Sequence, residues 1–103
     1  MKPLRLPDYE IKIIKETAKK YFGENCRVLI FGSRTKLEKR GGDIDIFVET
    51  NLPISKIVRN RVKFLAELDF KIGEQKIDLV VFNPKLMEKE LIHEIALSEG
   101  IEI

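Results

Sequence analysis

The sequence predicts an α/β (α+β) fold, a small mixed β-sheet of three to four strands with helices packed on it. Three observations lead there. Short apolar, β-branched runs recur at 27–31, 43–49 and 76–82. Segments whose apolar residues repeat at helical spacing lie before, between and after them. Gly, Pro and Asn stand at the junctions, where the chain has to turn.

Taken in order, residues 1–7 hold two prolines and read as an extended lead-in. Asp8 is placed to cap a helix over 8–22 that Gly23 stops. Ile11, Ile14, Ala18, Tyr21 and Phe22 would form its buried face, with Lys12, Lys15, Lys19 and Lys20 mostly off it. Arg27 to Phe31 reads as a buried strand ended by Gly32. Residues 34–40 can form one or two helical turns before Gly41-Gly42. Asp43 to Glu49 is the second strand, with Ile44, Ile46 and Val48 on one face and Asp43, Asp45 and Phe47 on the other. A helix over 54–70 follows, capped by Asn51 or Ser55, with Ile57, Val58, Val62, Leu65 and Leu68 as its buried side. Lys76 to Phe82 is the third strand, with Asp78, Val80 and Phe82 sharing a face. Asn83-Pro84 signals a last helix to about Ser98, burying Leu86 or Met87, Leu91, Ile92, Ile95 and Ala96. Gly100 ends it, and 101–103 is a short strand or a tail.

Composition narrows the function. The 103 residues make one domain, 1–103, with 44% apolar residues for a core. Basic and acidic residues nearly balance at 19 and 17, so a net charge of +2 does not indicate direct nucleic-acid binding. The single cysteine, Cys26, allows no intrachain disulfide and reads as an inert small hydrophobe. No secretory leader and no membrane-length apolar run is visible, which makes the cytoplasm the expected compartment. His93, the lone histidine, sits within the last helical pattern and is assigned to packing or the surface. Tyr9 and Tyr21 are assigned to packing against the first helix.

The chemistry concentrates around Gly32 to Val48. Asp43 and Asp45 are two apart in a strand and share a face, where two carboxylates repel each other unless a cation lies between them. Hard oxygen donors suit Mg²⁺. An open strand edge carries the same pattern, so the pair alone decides little. Asp78 adds weight: it interrupts an otherwise apolar strand, where a carboxylate is costly unless it binds a metal or pairs with a neighbour such as Lys76. Gly32 and Ser33 offer a turn whose backbone N–H groups and hydroxyl can meet a phosphate. Arg34, Lys36, Lys39 and Arg40 lie between turn and acids, either as a neutralising cluster or as a solvated loop.

Together, Gly32-Ser33, a nine-residue spacer, Asp43-Ile44-Asp45 and Asp78 within Lys76-Ile77-Asp78-Leu79-Val80-Val81 resemble the nucleotidyltransferase superfamily typified by DNA polymerase beta. The resemblance covers residues 10–97 and is closest to the minimal nucleotidyltransferases (MNT). One position departs from the family pattern: Leu37 stands where many relatives carry glycine. The resemblance implies that Asp43, Asp45 and Asp78 bind two Mg²⁺ ions, with Asp78 helping to deprotonate the acceptor. It further implies that Gly32, Ser33 and Arg34 contact the nucleotide, and that the reaction moves a nucleoside monophosphate, AMP from ATP, to a hydroxyl. The family's commonest setting implies a partner too, a HEPN-type toxin whose tyrosine is the acceptor and for which the MNT protein is the antitoxin. A non-catalytic antitoxin acting by contact, or an enzyme acting on a small molecule or RNA, are the alternatives.

Overall fold

The computed structural model describes residues 6–32, 43–73 and 76–103. The expected helical turns over 34–40 lie outside the described residues, as do the glycines at 41 and 42. The elements run α1 (Asp8–Phe22), β1 (Arg27–Phe31), β2 (Asp43–Glu49), α2 (Ile54–Ile72), β3 (Lys76–Phe82), α3 (Leu91–Glu99) and β4 (Ile101–Glu102). The four strands form one mixed sheet in the order β3-β2-β1-β4. β1 is antiparallel to both β2 and β4, whereas β2 and β3 run parallel, joined by the α2 crossover.

Strand alternation sorts the side chains between two unequal layers. Ile44, Ile46 and Val48 of β2 join Val28 and Ile30 of β1 and Leu79 and Val81 of β3 on one face. Ile14, Ala18 and Phe22 of α1 and Ile57, Phe64, Leu68 and Ile72 of α2 close over them. Phe22 and Phe64 meet across this layer with ring centroids 5.4 Å apart. The opposite face carries Leu29, Phe31, Phe47 and Phe82, and among the described residues α3 packs on it through Ala96 and Leu97, with Met87 beside them. The helices α1 and α2 are tied together by Glu67, whose carboxylate accepts from Lys20 Nζ (2.8 Å) and Tyr21 Oη (2.7 Å) and pairs with Lys71 (2.8 Å). These contacts hold the Glu67 carboxyl far below its ordinary range, at about 2. Arg61 of α2 donates to the Leu79 carbonyl (3.0 Å), bringing a cation to the outer strand β3.

Several expected details are corrected. Pro7, not Asp8, is the N-cap of α1, and Asp8 is its first helical residue. Pro53, rather than Asn51 or Ser55, precedes α2 at its N-cap, and that helix continues to Ile72. Its buried side is Ile57, Phe64, Leu68 and Ile72, with Leu65 half-buried, whereas Val58 and Val62 face outward. The Asn83-Pro84 signal is real but governs one turn: Asn83 Oδ1 accepts from the Lys85 N–H (2.9 Å) and Met87 N–H donates to the Asn83 carbonyl (2.9 Å). The chain then leaves helical geometry and restarts at Leu91. There Glu90 and His93 form a reciprocal capping box, with Glu90 N–H donating to His93 Nδ1 (2.9 Å). Leu86, Leu91 and Ile92 are exposed, and His93 takes the buried place expected of them. The terminal residues do form a strand, paired with Leu29 and Ile30. Among the described residues, no helix is long and apolar enough to cross a membrane.

Candidate active site

Among the described residues, the face that α3 covers is covered at one end. Over the C-terminal ends of β2 and β3, His93 lies against Phe82 (ring centroids 4.4 Å apart) and Phe47 (6.2 Å), and Ala96 fills the space beside them. Toward the N-terminal ends of the same strands this cover stops. Phe82 is buried, Val80 half-buried and Asp78 exposed along one face of β3, which marks the step from a packed to an open surface.

Asp45 and Asp78 stand on that open end as direct partners in the parallel β2–β3 register. Partners in a ladder point to the same face, and neighbouring strands lie about 4.8 Å apart. Two carboxylates are therefore brought within the span of one or two cations by residues 33 positions apart in sequence. The sequence argument for Asp78 rested on a buried and costly carboxylate. The structure corrects that premise: Asp78 is solvent-exposed, and among the described residues no helix packs over this part of the sheet. The salt bridge to Lys76 is not among the ion pairs of the described residues. Asp43 heads β2 in register with Lys76; its side chain lies outside the described residues. Among the described residues no three His, Cys, Asp or Glu side chains gather into a metal-binding group.

Gly32 reaches the same place from the other side. It follows β1, whose last residue, Phe31, is the antiparallel partner of Asp45. Its φ of +78° belongs to the left-handed region that glycine tolerates and other residues avoid. A side chain there would overlap the Asp45 carboxylate, with its Cβ 2.9 Å from Asp45 Cγ. The turn and the acid pair are thus one construction: the absence of a side chain at position 32 makes room for Asp45. Sequence reading proposed Gly32 for phosphate approach and missed this contact. The available signal was a glycine ending a strand just before an acid-bearing strand. Ser33 and Arg34 lie outside the described residues.

The carboxylates that the described residues bring together here, Asp45 and Asp78, are hard oxygen donors. They suit Mg²⁺ rather than a thiophilic metal. A concavity among the described residues lies elsewhere, at the far end of β2. It measures about 220 Å³ and is lined by Phe22, Cys26, Glu49 and Asn51 among others. Neither Asp45 nor Asp78 borders it. Cys26 on its wall is half-buried, and that burial pushes its thiol above the ordinary range, in keeping with an inert role.

A family model for the nucleotidyltransferase domain matches residues 11–103, nearly the entire chain. No curated protein matches it.

Proposed function

We propose that this chain, which belongs to the nucleotidyltransferase domain family, transfers a nucleoside monophosphate, AMP from ATP, to a hydroxyl group. The observation that supports this reading best is the in-register pair Asp45 and Asp78, at an end of the sheet that no other described element covers, beside the Gly32 turn. Asp43, Asp45 and Asp78 would hold Mg²⁺. When bound, the metal would supply charge neutralisation at the phosphates. The chain's residues do the rest. Asp78, exposed and on an edge strand, is open to an incoming acceptor and takes the proton of its hydroxyl. The acceptor oxygen bonds to the α-phosphorus, the bond from that phosphorus to the β-phosphate oxygen breaks, and pyrophosphate leaves. Gly32, with Ser33 and Arg34 following it, receives the β and γ phosphates. Positioning and charge neutralisation, rather than a covalent intermediate on the protein, carry the rate.

The acceptor in this proposal is a tyrosine hydroxyl of a HEPN-type toxin, and the chain is its antitoxin. The support is the resemblance to minimal nucleotidyltransferases, which covers 10–97. The test uses ATP radiolabelled on either the α- or the γ-phosphate, Mg²⁺ and the purified toxin. Transfer of the α label alone, lost with EDTA and lost when the acceptor tyrosine is changed to phenylalanine, is the expected result. Inhibition of the toxin with no label on it would instead support the contact-only antitoxin. Pyrophosphate release with an RNA or small-molecule acceptor, and none with the toxin, would move the acceptor to that class.

A further inference from the structure

The backbone of β3 has an outer side that the sheet does not use. β3 stands last in the strand order, with β2 on one side of it. The Phe82 carbonyl accepts from the Thr50 N–H just past the end of β2 (2.9 Å). Backbone groups alternate between the two sides of a strand, so Phe82, Val80 and Asp78 address β2 while Leu79 and Ile77 address the outside. The Leu79 carbonyl obeys this parity, since it accepts from Arg61 Nη1 (3.0 Å). Among the described residues nothing pairs with the N–H of Leu79 or with the N–H and C=O of Ile77. Unpaired groups in a row along an edge are a template for another strand. The opposite edge, β4, is two residues long, whereas β3 has seven.

The free stretch brackets Asp78, the residue proposed to take the acceptor's proton. A strand added beyond β3 lies about 4.8 Å from it, and its residue opposite Asp78 points to the same open face. Two cations flank that place. Lys76 is exposed, two residues before Asp78 and on its face of the strand. Arg61 arrives from the helical side at the residue after Asp78, and no carboxylate among the described residues pairs with it. Resting on the nucleotidyl-transfer reading, we infer that the acceptor is an extended peptide segment that adds to the outer edge of β3 as a strand. Its tyrosine stands opposite Asp78, acids next to the tyrosine meet Arg61, and acids two residues away meet Lys76. The phenolic oxygen attacks the α-phosphorus, its proton passes to Asp78, and pyrophosphate leaves. A peptide supplies the N–H and C=O groups that this edge lacks, which an RNA backbone does not. Nor do the described residues of β3 include an exposed aromatic on which a base could stack.

The experiment uses the full chain and a synthetic peptide with one tyrosine between two glutamates on either side. Its phenylalanine form, which cannot accept, reports binding by fluorescence anisotropy without ATP. The tyrosine form reports transfer from ATP labelled on the α-phosphate. Replacing the glutamates by lysines should weaken binding about tenfold or more, and the gap should narrow in high salt. Methylating alternate backbone nitrogens of the peptide should weaken binding about tenfold or more for one set and leave it intact for the other, since one set faces β3. Lys76→Glu should raise KM for the glutamate peptide and leave kcat within about twofold. Arg61→Gln gives the same readout should that variant not fold. Binding that both methylated sets weaken equally, or neither weakens, overturns the inference. So does label that goes to a single-stranded RNA and not to the peptide. A peptide that binds in the alternating pattern, with no label transferred and no pyrophosphate released on any acceptor, overturns the nucleotidyl-transfer reading and the acceptor role with it, while the docking edge stands.

Discussion

At the scale of residues, the site depends on a side chain that is absent. Gly32 has a positive φ and stands where any Cβ would run into the Asp45 carboxylate. Gly32→Ala is expected to cost about 1–2 kcal/mol of stability through the left-handed backbone alone. By displacing Asp45 it should also lower transfer activity about 100-fold, as a misplacement on the order of 1 Å does. Thermal melts and pyrophosphate release measure the two effects separately. Glu67 gives a second residue-scale prediction. Hydrogen bonds from Lys20, Lys71 and Tyr21 hold its carboxyl at about 2 in the folded state, against 4.5 ordinarily. A carboxyl lowered on folding stabilises the fold above its unfolded value, and the contribution fades as pH falls through the folded one. Melting temperature should therefore fall between about pH 4.5 and 2, and Glu67→Gln should flatten that part of the profile. The acids Asp43, Asp45 and Asp78 and the turn glycine were legible in the sequence as types at a spacing. The Gly32–Asp45 contact was not, because it joins two strands whose pairing no local pattern states.

At the scale of elements, strands were easier to read than helix faces. All three main strands fall where they were expected, β1 from its short apolar, β-branched run and β2 and β3 from side chains alternating between two faces. In α2 the apolar residues occupy two faces, one at Ile57, Phe64, Leu68 and Ile72 and the other at Ile54, Val58, Val62 and Phe70. Periodicity alone could not choose between them, and the expected core mixed the two. The distinction is measurable. Phe64 is fully buried against Phe22, so Phe64→Ala should cost about 3–5 kcal/mol in urea unfolding. Val62 is 66% exposed, so Val62→Ala should stay within about 0.5 kcal/mol. The last helix was misread for another reason. Asn83-Pro84 has the form of a helix start, and it does start a turn. The Glu90–His93 box, which sets the actual start of α3, uses a histidine where glutamate or glutamine is usual.

At the scale of the molecule, the proposed function rests on unequal cover of the sheet among the described residues. Two long helices seal one face of the sheet, and the shorter α3 protects one end of the other. Asp45 and Asp78 stand side by side at the end that no other described element covers. Residues 11–103 match the nucleotidyltransferase domain, the family on which the proposed role of this arrangement rests. The central claim is that these two carboxylates carry the reaction and contribute little to the fold. Pyrophosphate release from ATP and Mg²⁺ by wild type, Asp45→Asn and Asp78→Asn, each with its melting curve, tests it most directly. Activity should fall at least about 100-fold in both variants, and Asp78→Asn, at an exposed position, should melt with wild type. Either variant retaining wild-type release would contradict the account.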